Sequence, residues 1–142
     1  ASGDSTICLW DAKSGTLTKT LTGHTDWVLC VTWSSDGQRL ASSSNDDSIR
    51  LWDSTSGALL KTLIGHHEDV SVVSWSPDDQ MLASASEDQS IRLWDLSSGV
   101  TTSTFQNHGD SVSSVAWSPG AGFLASSSWD TTVRLWELEP DA

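Results

Sequence analysis

Every full 42-residue unit of this chain contains a histidine, an aspartate and several serines, the side chains of a nucleophilic triad. In such a triad a serine hydroxyl attacks, an imidazole takes its proton, and a carboxylate orients the imidazole. The histidines are His24, His66 and His108; the aspartates are Asp4, Asp46, Asp88 and Asp130. A reacting centre is needed once, at a cleft. A constellation that returns in every unit therefore points to a structural role in each, and no enzyme activity is expected. Metal chemistry is disfavoured on the same ground, because the histidines come one per unit instead of clustering at ligand spacing. His67 is the single histidine outside the series, and alone it reads as surface.

The elements that must hold these residues follow from the same period. Trp10, Trp52, Trp94 and Trp136 lie 42 residues apart, each preceded by leucine and followed by an acid. Gly15, Gly57 and Gly99 keep the register, as does a second tryptophan series at Trp33, Trp75 and Trp117. A period of about 40 to 45 residues with Gly-His and Trp-Asp signatures points to four-stranded blades of a propeller. Each unit holds four short runs of β character separated by turn residues, with no helical period. In the first run apolar residues fall at Val28, Val31 and Trp33, so strict alternation breaks once and a β-bulge is expected near the start of that strand. Its counterparts are Val70 to Trp75 and Val112 to Trp117. The second run is built of small residues, as in Leu40-Ala41-Ser42-Ser43-Ser44, and the third of large ones, as in Ile49-Arg50-Leu51-Trp52. Small beside large suits sheets covered on both faces. The fourth run, Ala58 to Leu63, is more polar and reads as an edge strand guarded by Lys61.

Over nearly its whole length the chain resembles the WD-repeat family of β-propellers. The resemblance rests on Gly23-His24 and Gly65-His66, on Trp52-Asp53 and Trp94-Asp95, and on the run Leu82 to Asp95 between second and third strands. It departs at Asn107, where glycine is expected before His108, and at Glu137, which replaces the last aspartate; both read as mild changes at exposed turns. The fold class implied is all-β, a partial propeller of four-stranded antiparallel blades. Residues 1–22 would form a partial blade, 23–64 and 65–106 whole blades, and 107–139 a last blade lacking its outer strand. The resemblance further implies one buried hydrogen-bonded tetrad per blade: His24, Ser42, Asp46 and Trp52; His66, Ser84, Asp88 and Trp94; His108, Ser126, Asp130 and Trp136. Ser44, Ser86 and Ser128 are the alternative serine members. It also implies a peptide-gripping top face near a central channel. Carried over by position, that face holds Trp27, Leu29, Asp69, Ser71, Ser111 and Ser113 around the bulges, with Asn45, Glu87 and Trp129 before the turn acids. Trp27 and Trp129 belong to no repeating series, and tryptophan is favoured at binding hot spots.

Aligned to the repeat, Ala1 matches Ser43 and the chain opens at the end of a second strand. Two readings follow: the C-terminal part of a larger propeller, or copies that associate to complete a ring. The formal net charge is −12, from 19 acids and 7 bases, and the bases form no patch, so nucleic acid is not an expected partner. An acidic surface suits a basic peptide or protein segment. No run of about 18 apolar residues suggests a membrane span, and no signal peptide opens the chain. A cytoplasmic or nuclear location is expected. Cys8 and Cys30 lie in different units without a C-x-x-C pair, so neither zinc nor a redox motif is indicated, and no cofactor is expected. The leading function is a protein-interaction scaffold that docks a peptide or protein on its top face. The alternative is a regulatory or sensor domain of a larger signalling protein.

Overall fold

Thirteen β-strands and no helix make up the regular structure of residues 2–138, the part of the chain described by the computed structural model. Strands β1 (Ile7–Trp10) and β2 (Leu17–Leu21) form a two-stranded sheet. Strands β3 (Val28–Trp33), β4 (Arg39–Ser44), β5 (Ser48–Asp53) and β6 (Leu59–Ile64) form the second sheet in sequence order. The third contains β7 (Val70–Trp75), β8 (Met81–Ser86), β9 (Ile91–Asp95) and β10 (Thr101–Phe105), and the last β11 (Val112–Trp117), β12 (Phe123–Ser128) and β13 (Val133–Glu137). Every pairing is antiparallel. The architecture is all-β, consecutive blades of a partial propeller.

The cores lie between sheets, not within one. Small residues on each second strand let the next sheet approach, and the large residues of the third strand fill the space. Ala41, Ile49 and Leu51 are covered by Val70, Val73, Trp75 and Leu82 of the following sheet. Ala83, Ala85, Ile91 and Leu93 are covered in the same way by Val112, Val115 and Leu124. The two-stranded sheet contributes Ile7 and Leu21, which pack on Val28, Leu40 and Trp52. Each such large side chain stabilises by roughly 1.5–3 kcal/mol when buried, and each layer depends on its neighbour, as in other repeat architectures. On the last sheet Val133 and Leu135, in the places of Ile91 and Leu93, are 73% and 76% exposed.

Bulges interrupt the pairing of the first strand with the second between Val28 and Cys30, Val70 and Val72, and Val112 and Ser114. The bulged residues are Leu29, Ser71 and Ser113. At the same end, in the hairpins between second and third strands, Asp47, Gln89 and Thr131 carry positive φ angles of 63°, 68° and 71°, each just after a turn aspartate. That aspartate holds the strained backbone. Asp46 Oδ1 accepts the Ser48 amide at 3.0 Å and its hydroxyl, and Asp88 does the same for Ser90.

Lys61 departs from the expected edge guard. Its ammonium turns into the next sheet's hairpin and donates to the Leu96 and Ser97 carbonyls at 3.0 and 3.2 Å. A lysine stem can lie along apolar surface while its head finds acceptors, and here the neighbouring turn supplies them. The second tryptophan series also joins sheets: Trp75 Nε1 donates to the Thr32 carbonyl at 3.3 Å and Trp117 Nε1 to Ser74 at 3.1 Å.

Candidate functional site

In each full unit the histidine hydrogen-bonds a serine and an aspartate in the geometry of a nucleophilic triad. His24 Nε2 lies 2.8 Å from Ser42 Oγ and its Nδ1 2.8 Å from Asp46 Oδ2. His66 repeats this with Ser84 at 2.7 Å and Asp88 at 2.8 Å, and His108 with Ser126 at 2.8 Å and Asp130 at 2.7 Å. Each serine has a further partner. Trp52, Trp94 and Trp136 donate their indole N–H to Ser42, Ser84 and Ser126 at 2.9, 2.8 and 2.8 Å, and the Ser42 side chain is fully buried. With neutral histidine the donors run in one direction: indole to hydroxyl, hydroxyl to Nε2, and Nδ1–H to carboxylate.

Electrostatics match that order. Burial depresses the pKa of His24 despite the opposing pull of Asp46. Burial opposes ionisation of Asp46 and Asp88, but donors from Ser48 and His24, and from His66 and Ser90, outweigh it and hold both carboxyls below the usual range. The Thr132 hydroxyl does most to lower Asp130. Ser48, Ser90 and Thr132 are thus a fifth position of the network that residue typing alone did not single out. Ser44, Ser86 and Ser128 act elsewhere, their hydroxyls donating to the Asp26, Glu68 and Asp110 carbonyls at 3.2, 3.1 and 3.0 Å. They pin the segment entering each first strand.

That pinning shapes a rim. Turns between second and third strands and the segments entering the first strands share one end of the sheets. There the residue before each turn acid donates its backbone N–H to the residue before each bulge strand: Asn45 to Trp27 at 2.9 Å, Glu87 to Asp69 at 3.0 Å, and Trp129 to Ser111 at 3.0 Å. Six of the nine expected top-face residues are therefore joined in three pairs. The bulges carry the other three, Leu29, Ser71 and Ser113; the Ser113 hydroxyl contacts the Ser127 carbonyl at 3.2 Å. Trp27 and Trp129 are 58% and 75% exposed. Among the described residues, no side-chain hydrogen bond links one pair to the next. Charge does link them. Burial first, then the nearby Asp47 and Asp26, push the Asp69 carboxyl above its ordinary pKa.

Asp79 was not singled out by sequence; its counterparts in the other units are Gly37 and Ala121. It is buried, and its carboxylate accepts the Ser35 amide at 3.0 Å, the Ser35 hydroxyl at 2.6 Å and the Asp36 amide at 3.3 Å, latching two sheets together. The glycines before the histidines are contact positions as well: a Cβ at Gly65 would meet the Trp94 ring at 3.0 Å and Arg92 at 3.1 Å. Asn107, in the corresponding place before His108, is exposed.

The family description "WD domain, G-beta repeat" matches three times, at residues 15–53, 57–95 and 99–137. The chain belongs to the WD-repeat family. Each WD match joins the outer strand of one sheet to the three inner strands of the next, so the repeats interlock the blades. WD repeats generally mediate protein–protein interaction and are typically non-enzymatic. Two relatives are named Ribosome assembly protein 4. That of Chaetomium thermophilum is 59% identical over 39 residues, and that of Saccharomyces cerevisiae 50% over 40. Each match covers 28% of this chain and 8% of the relative's own length. Among the described residues no helix is long and apolar enough to cross a membrane.

Proposed function

We propose that this WD-repeat segment docks a basic peptide or protein segment on the rim lined by Trp27, Asn45, Asp69, Glu87, Ser111 and Trp129, with Leu29, Ser71 and Ser113 on the bulges beside it. One observation carries the reading. Two rim residues that belong to no repeating series are exposed tryptophans, and the acid between them on the third sheet is already raised in pKa by burial and neighbouring carboxylates. A lysine or arginine placed there relieves that repulsion and meets an aromatic face. The backbone pairs make the rim rigid before binding, so little ordering entropy is lost on docking. The names of the two relatives suit a docking role within a multisubunit assembly in the nucleus or cytoplasm.

The test is a titration with fluorescent lysine- and arginine-rich peptides, followed by anisotropy, for the natural chain and Trp129→Ala. A hot-spot tryptophan is worth about 2 kcal/mol or more, a loss of roughly thirtyfold in affinity. Unchanged affinity in a folded Trp129→Ala variant refutes the rim as the docking site.

A further inference from the structure

The half-open groove between the third and last sheets offers about 940 Å³ at the end of the blades opposite the rim, bordered by the hairpin turns at Ser76, Asp95 and Gly120. Its counterpart one repeat earlier, between the second and third sheets, is filled by the chain's own cations. There the Arg39 guanidinium lies 4.9 Å over the Trp75 ring and donates to the Asp79 carbonyl at 2.9 Å, while Lys61 donates to the Leu96 carbonyl at 3.0 Å. Forty-two residues on, Met81 replaces Arg39 and Ser103 replaces Lys61, and no described residue lining the later groove is Lys or Arg.

What received the cations is retained. Trp117 occupies the place of Trp75 and is held in the same way, its indole bonded to the preceding sheet. Ala121 has φ 57° against 58° for Asp79, and each N–H bonds the carbonyl three residues back, so the turn that offers the acceptor carbonyl is repeated. Leu138 N–H bonds the Gly122 carbonyl at 2.9 Å as Leu96 N–H bonds Gln80 at 3.1 Å, so the segment leaving the third strand starts in the same way. Carboxylates of Asp78, Asp95 and Glu137 surround the space. Ser97 and Ser98 hold the Asp95 pKa down to about 2, and the Ser76 hydroxyl lowers Asp78, so both are ionised at neutral pH. Their turn bonds use Oδ1 of each, with Oδ2 taking none among the described residues.

We propose that this groove is a binding site for an arginine side chain carried on a partner polypeptide, its guanidinium flat on Trp117 and donating to the Ala121 carbonyl among the three carboxylates. Arginine fits better than lysine, because a planar, weakly hydrated guanidinium stacks on indole while its edge N–H groups reach acceptors. The site is independent of the rim, since the two lie at opposite ends of the strands.

The test uses acetyl-Gly-Arg-Gly-amide and its citrulline analogue, which keeps the shape without the charge, and follows the Trp117 indole N–H resonance. The arginine peptide should give a saturable shift and the citrulline peptide none. Met81→Arg, which restores the residue used one repeat earlier, should fill the groove from within and weaken peptide binding at least tenfold. Met81→Leu should leave binding unchanged. Glu137→Gln, a surface change that spares the fold, should weaken binding severalfold. Equal shifts from both peptides, no saturable shift, or natural affinity in Met81→Arg or Glu137→Gln would each overturn the assignment.

Discussion

Asp88→Ala tests whether the buried tetrads hold the blades together. The Asp88 carboxylate accepts four bonds: from His66 Nδ1 at 2.8 Å, His67 N at 3.1 Å, Ser90 N at 2.9 Å and Ser90 Oγ at 2.6 Å. Alanine removes all four acceptors at once. Water can replace the bond to His67, which is exposed, but His66 and Ser90 are buried and their donors stay unpaired. An unpaired buried donor costs about 1–3 kcal/mol, and His66 Nδ1, Ser90 N and Ser90 Oγ all lose their acceptor. The expected loss is therefore about 3–5 kcal/mol, a melting temperature lower by on the order of 10 °C in a domain of this size. Urea denaturation followed by tryptophan fluorescence reads the change, because Trp94 reports on the same network. Glu87→Ala, at the neighbouring exposed carboxylate, should stay within about 0.5 kcal/mol of the natural chain. An Asp88→Ala variant as stable as Glu87→Ala would refute the structural role of the tetrad.

Two further outcomes are expected. Ser43 is fully buried with its hydroxyl unpaired, and Ala85 holds the same place one repeat later; Ser43→Ala should leave stability unchanged or raise it by up to about 1 kcal/mol, and a loss of that size in urea titration would count against the assigned packing. Stability should also decline toward acid in two stages. The unfolded chain binds the proton that folded His24 refuses, so stability falls as pH drops below the ordinary histidine value of 6.5. Below about 3.8 the unfolded forms of Asp46, Asp88 and Asp130 take up protons that the folded forms resist, and the fall steepens. Asp69 works in the opposite sense just above 3.8, since its folded pKa is raised. Denaturation free energies at pH 8, 6, 4.5 and 3 should trace that profile; a flat line between pH 6 and 3 would refute it.

Much of the fold is legible along the chain because it is local and repeated. The 42-residue recurrence marks the units, and the small second run beside the large third run marks sheets covered on both faces. The single break in alternation at Val28, Val31 and Trp33 marks the bulge, since strand side chains alternate with a fixed period of two. Of the two serines the sequence allows, the fold places Ser42 against the imidazole, while Ser44 caps the turn by accepting the Asp46 amide.

The sheet-to-sheet contacts were not legible, because they join residues about 40 apart whose meeting depends on how closely two sheets stack. Lys61 reads as an edge guard in sequence, yet it reaches the Leu96 carbonyl. Asp79, in the turn between β7 and β8, latches the Ser35 turn. Met81 and Ser103 read as ordinary strand residues until the neighbouring groove displays the cations they replaced. The repeat, the strands and the residue types of each network could be read from the chain alone, because they depend on spacing within one unit. Which side chains cross between sheets, which rim residues pair and which groove lacks its cations emerged from the folded arrangement, because those depend on the distance between units.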